Sequence, residues 1–202
     1  MAAAVARPGD ARIDDVPVAA RRMGVHTLLD RERTFGAEEI IVSKTDLRGV
    51  ITYANDVFAR TAGYSRAELE GGPHSIVRHP HFPGGVFRLL WDTITADREI
   101  FAFVKNLAKD GSYYWVLAHV TPTHGRDGQI SGYHSSRRVP ERAALDELSG
   151  LYAEMLDIER DIRNLHEAAE ASATMVAARL ASLGTTYDEF IWDIINRTGQ
   201  EI

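Results

Sequence analysis

The sequence predicts an α+β fold: a five-stranded antiparallel sheet with short helices on one face, an N-terminal cap helix and a C-terminal helical extension. Three observations predict it. Residues 40–54 and 99–139 carry the alternation of half-buried strands, interrupted by turn residues. The later block is divided by Asp110-Gly111 and Asp127-Gly128, dipeptides that supply the positive φ of tight hairpins. Beyond Pro140 the pattern turns helical, and Leu148, Met155, Ile162, Ala169, Val176 and Leu183 recur every seven residues.

Each element follows from local chemistry. Residues 1–12 are small and polar and are expected to be disordered. Val16, Ala19, Met23, Val25, Leu28 and Leu29 recur near helical spacing, predicting a cap helix over 16–33. Strands are expected at 40–44 and 50–54 around the turn Asp46-Leu47-Arg48-Gly49. Two short helices follow at 55–62 and 65–70, split by Gly63, with Ser65 and Glu68 at capping-box spacing. A longer helix is expected over 82–96, with Val86, Leu89, Leu90 and Ile94 on one face. A meander of strands at 99–107, 113–121 and 130–139 completes the sheet. The heptad companions Leu145, Tyr152, Glu159, His166, Ala173 and Leu180 are half polar, and one long helix over 141–183 with a switchable homodimer seam is expected, the alternative being a helix laid against the sheet of its own domain. After Gly184, residues 187–196 read as a short aromatic helix. The domains are therefore 1–37, a disordered start and cap helix; 38–140, the sheet domain; and 141–202, a coiled-coil-like extension.

Composition removes several function classes. The 202 residues carry a formal net charge of −6, which gives no basic face for nucleic acid. The absence of cysteine excludes disulfides, thiolate metal ligands, cysteine nucleophiles and cysteinyl–flavin photochemistry. No apolar run approaches the roughly 18 residues of a membrane span, and the start lacks the pattern of a signal peptide, so a soluble, cytoplasmic protein is expected.

The segment from Pro73 to Pro83 concentrates candidate ligand-binding chemistry. It holds His74, Arg78, His79 and His81 among three prolines. Proline removes backbone donors and fixes φ, so these side chains sit on a rigid, irregular connector, where binding groups are commonly presented. Arg78 offers a planar fork of donors suited to a pyrophosphate or a polar ring edge. Asn106 carries both a donor and an acceptor. Trp91, Phe101, Phe103 and Trp115 can wall a flat ring.

Taken together, Thr45-Asp46-Leu47-Arg48-Gly49-Val50-Ile51-Thr52-Tyr53-Ala54-Asn55 and Gly63-Tyr64-Ser65 resemble a PAS domain. Pro73-His74, Ile76-Val77-Arg78-His79-Pro80, Trp91, Val104-Lys105-Asn106, Lys109-Asp110-Gly111, Tyr114-Trp115-Val116 and Ser131-Gly132-Tyr133 further resemble the PAS domain of bacterial aerotaxis receptors, over about residues 38–140. The resemblance implies the PAS fold and non-covalent binding of FAD, whose redox state is converted into conformation. It implies flavin contacts from Arg78, His79 and Asn106, with Trp91 a further match. At two positions the chain departs from that pattern. His81 stands where the family usually has aspartate, and Glu99-Ile100-Phe101 stands where a tryptophan normally precedes the Val-Lys-Asn strand, leaving Phe101 or Phe103 to restore the wall.

Competing readings use the same residues. His74, His79 and His81 lack a thiolate or acidic partner within the segment, so a zinc site is not expected. Haem b needs one axial histidine, for which His79, His81, His119 and His134 are candidates. A ligand-free docking module is the third reading. No nucleophile–base pair is apparent, so the chain is expected not to be an enzyme. The expectation is an FAD-binding redox or oxygen sensor that signals to a second copy or to a downstream protein.

Overall fold

A computed structural model of the chain describes residues 27–202. The sheet comprises β1 (Ile41–Thr45), β2 (Ile51–Ala54), β3 (Ile100–Leu107), β4 (Tyr113–His124) and β5 (Ile130–Arg138). All its pairings are antiparallel, in the order β2-β1-β5-β4-β3. Between β2 and β3 lie α1 (Asp56–Ala62), α2 (Arg66–Leu69), a 3₁₀ turn at His74–Val77 and α3 (Gly84–Thr95). The predicted capping box of Ser65 and Glu68 is present, and Asn55 caps α1 by accepting from the Phe58 N–H. Gly63 ends α1 at φ +74°, a conformation that costs glycine little.

The start of the described chain departs from expectation. Residues 27–33, read as the end of a cap helix, are extended, and the rest of that predicted helix lies outside the described residues. The segment runs parallel to the start of β4: Leu29 N–H donates to Gly111 O, Tyr113 N–H to Arg31 O, and Arg33 N–H to Tyr113 O. A Cβ on Gly111 would lie 1.9 Å from Thr27 O, so glycine is required where the segment crosses the β3–β4 turn. Free backbone groups beside β4 capture this stretch despite its helical spacing.

The C-terminal extension corrects a second expectation. Instead of one helix there are α4 (Arg142–Arg160), α5 (Leu165–Ser182) and α6 (Tyr187–Thr198). Residues 161–164 break the first from the second, because the Asn164 side chain accepts from the N–H groups of His166 and Glu167 and starts a new helix. The two helices fold back as a hairpin against the sheet domain. The heptad residues Leu148, Met155 and Val176 are therefore buried inside one chain, while Leu183 is 69% exposed. The sevenfold series is not carried on one continuous helix.

Docking is specific. Tyr152 Oη donates to Phe103 O at 2.8 Å, and its ring stacks parallel to Trp115. Trp192 of α6 packs edge-on to Phe101 at 4.9 Å. The Gln200 side chain accepts from Glu141 N–H and donates to Val139 O, tying the C-terminus to the junction between β5 and α4. Glu159 reaches from α4 to the start of α3, where its two carboxylate oxygens accept from Gly84 N–H at 2.8 Å and Gly85 N–H at 2.9 Å.

Candidate ligand cavity

Strand alternation assigns the two faces of the sheet. Val104 and Asn106 on β3, Val116 and Ala118 on β4, and Ser135 and Arg137 on β5 all face inward. With the Pro73–Arg78 connector and α3 over them, they enclose a cavity of about 580 Å³, within the usual range of small-molecule sites. Leu165, His166 and Ala169 of α5 contribute to its rim.

Arg78, Asn106 and Trp91 are brought together here. Arg78 and Asn106 form an isolated backbone bridge, so two distant motif residues become neighbours. The Arg78 guanidinium lies 4.4 Å from the centroid of the Phe87 ring, and burial pulls its pKa below the usual value while the nearby Glu159 carboxylate opposes the shift. Asn106 is 5% exposed, and among the described residues its side-chain amide has no hydrogen-bond partner. Trp91 meets Tyr133 edge-on at 5.5 Å and lies against Gly49.

The remaining predicted site residues lie elsewhere. Phe101 and Trp115 occupy the opposite strand parity and face the C-terminal helices; Phe101 stacks on His119 at 4.2 Å. They are packing residues between sheet and hairpin, not cavity walls. His79 is buried, but its Nδ1 accepts from the His81 N–H and its ring packs on Tyr113. Burial, Lys105 and His81 hold its pKa down to about 3. His81 is exposed, beside a shallower depression lined by Leu156 and Glu159. Neither these two histidines nor His119 and His134 line the main cavity, so none of the haem-ligand candidates is in place. Among the described residues no cluster of three or more potential metal ligands occurs.

His74 of the connector joins two cavity residues that the sequence did not single out, Ser43 and Arg137, in a polar cluster on the cavity wall. Arg137 Nη2 donates to Ser43 Oγ at 2.6 Å and to His74 Nε2 at 2.7 Å. The His74 ring stacks on Phe58, and burial together with the neighbouring guanidinium holds its pKa down to about 3. His74 is thus a neutral acceptor. Arg137 is 4% exposed and has no carboxylate partner among the described residues. Alternation along β5 from Tyr133 through Ser135 turns Arg137 inward.

This architecture, five antiparallel strands cradling a cavity beneath short helices, is that of a PAS domain. The PAS fold family matches residues 51–137, and the sheet domain of this chain belongs to it. The Escherichia coli aerotaxis receptor is 36% identical over 146 residues, covering 72% of this chain and 28% of that protein. The Halobacterium salinarum bacterioopsin transcriptional activator is 32% identical over 140 residues, covering 68% and 20%. The chain thus spans less than a third of the length of these curated relatives. A solved PAS domain from Colwellia psychrerythraea superposes with a TM-score of 0.44 at 24% identity, over 50% of this chain and 85% of that one. No helix among the described residues is long and apolar enough to cross a membrane.

Proposed function

We propose that this chain is a flavin-binding PAS sensor that takes FAD non-covalently and passes its redox state to the C-terminal helices without acting as a catalyst. The observation that carries this reading is the juxtaposition of Arg78, Asn106 and Trp91 on one cavity of about 580 Å³. The residues fit a flavin. The floor is apolar, Asn106 has an unpartnered amide for a ring edge that both donates and accepts, and Trp91 offers an aromatic face. Arg78 and Arg137 supply positive charge for a polyanionic ligand. When bound, FAD supplies a ring that accepts and returns electrons; the protein binds and orients it and limits water. Similarity to a protein named as an aerotaxis receptor supports the same reading.

The output route begins at Arg78. Its guanidinium and the Glu159 carboxylate approach the same point at the start of α3, and a Cβ on Gly84 would lie 3.2 Å from Arg78 Nη2 and 3.3 Å from Glu159 Oε2. A charge change in the cavity alters the pull of Arg78 on Glu159, whose hydrogen bonds hold the hairpin to α3. Loosening that hold exposes Leu148, Met155 and Val176, the sevenfold apolar positions, to a second copy of the chain.

Purified protein should be yellow, and the mass of the flavin released on denaturation separates FAD from FMN. Arg78→Ala and Asn106→Ala should each deplete the flavin while leaving the circular dichroism of the fold intact. Full occupancy in both variants overturns the assignment. Light scattering before and after reduction by dithionite tests the output: an unchanged mass, together with unchanged amide exchange in α4 and α5, overturns the proposed route.

A further inference from the structure

The cavity contains a cation that the described protein does not neutralise. Arg137 is 4% exposed, yet no carboxylate lies within ion-pair distance among the described residues. Leaving a buried charge unpaired is strongly destabilising. The chain nevertheless holds this group in one orientation. Nη2 spends its two hydrogens on Ser43 Oγ and His74 Nε2, while the guanidinium carbon sits 5.1 Å from the centroid of the Phe58 ring. That leaves Nη1 and Nε without partners among the described residues. On the same cavity wall the Ser135 hydroxyl is buried with no hydrogen-bond partner among the described residues. The usual partners of a buried arginine have been replaced by a neutral serine and a neutral histidine, which orient the fork without cancelling its charge.

We propose that Arg137, positioned by Ser43 and His74, is the group that receives negative charge on the ring of the cavity's ligand, and so sets how readily that ligand is reduced. The inference rests on the flavin reading above and assigns the innermost part of the site. Arg48 and Arg88 stand at more exposed positions around the same cavity, where a phosphate can keep part of its hydration. Arg137 faces the enclosed part beside Val120 and Ala118, which suits a flat ring. Uptake of two electrons with one proton leaves one negative charge on that ring. An oriented guanidinium in a low-dielectric site favours this reduced anion over the neutral oxidised form.

The test uses the full chain loaded with FAD and titrated with dithionite as electron donor against a reference dye. In Arg137→Gln, oxidised FAD should still bind, whereas affinity for the reduced form should fall at least tenfold more than for the oxidised form. That is a midpoint potential more negative by about 30 mV for a two-electron couple. Arg137→Lys, which keeps the charge without the fork, should fall between wild type and the glutamine variant. Stripped of flavin, Arg137→Met should melt at a higher temperature than stripped wild type, because it removes an unpaired buried cation. A structural arginine predicts the reverse, so this measurement still decides the matter if the glutamine variant folds poorly. Flavin uptake with an unchanged potential in Arg137→Gln, or a lower melting temperature for stripped Arg137→Met, overturns this proposal alone. Wild-type protein that takes up no FAD overturns the flavin reading, and this assignment with it.

Discussion

His74 and His79 lie in one short connector, each with its pKa held down to about 3, the first chiefly by burial and Arg137, the second by burial, Lys105 and His81. In an unfolded chain both imidazoles titrate near the ordinary value of about 6.5. Between these limits the unfolded state binds more protons than the native state, so stability rises with pH and is lost as pH falls below about 6.5. Urea unfolding across pH 7 to pH 4 should therefore show a dependence approaching two protons. His79→Gln should remove about one of them; an unchanged slope would show that His79 does not contribute. The same scale shows what a sequence conceals. Asn106 and Phe101 are both candidate ligand residues in the sequence, yet they differ in strand parity and cannot face one side of β3. The numbering alone carries that distinction. Arg137 was harder to find, because its importance lies in the absence of an acidic neighbour, which only the folded chain reveals.

The elements of the sheet domain were legible because each is specified locally: Asn55 and Ser65 cap helices, and Gly63 and Gly111 adopt the positive φ their turns need. The C-terminal helices were not, because a sevenfold apolar repeat is equally satisfied by a partner chain or by a hairpin against the same chain. Asn164, three residues before Glu167, was the available sign of a new helix start. Glu159 likewise read as a weak point in a seam but is the N-terminal cap of α3. Glu159→Ala should destabilise the protein by about 1 kcal/mol, the usual cost of losing a cap, and should raise amide exchange first in Gly84, Gly85 and α5. Exchange confined to α4 would contradict the capping role. Gly85→Ala attacks the same junction sterically. Its Cβ would lie 2.2 Å from Ser172 Oγ and 2.8 Å from Ala173 N, so α3 and α5 must separate. A loss of about 1–3 kcal/mol in chemical denaturation is expected.

For the molecule as a whole, sheet and hairpin form a shared core. Cavity-lining residues occupy one side of the sheet, while Phe101, Trp115 and the Phe103 carbonyl on the other side meet Trp192 and Tyr152. Phe82, from the end of the Pro73–Pro83 connector, also packs against Trp115 and Tyr152, so the connector that borders the cavity is braced by the C-terminal helices. Cutting the chain after Pro140 therefore removes the cover from the outer face and a support from the cavity wall. Each large apolar side chain returned to water costs about 1.5–3 kcal/mol, and several such side chains represent much of the stability of a domain this size. The truncated chain should melt well below the full chain, bind a hydrophobic dye, and lose flavin affinity although Arg78, Asn106, Trp91 and Arg137 are all retained. A truncated protein with the melting temperature and flavin affinity of the full chain would show that the sheet domain is self-sufficient, and would overturn the proposed signalling route through the hairpin.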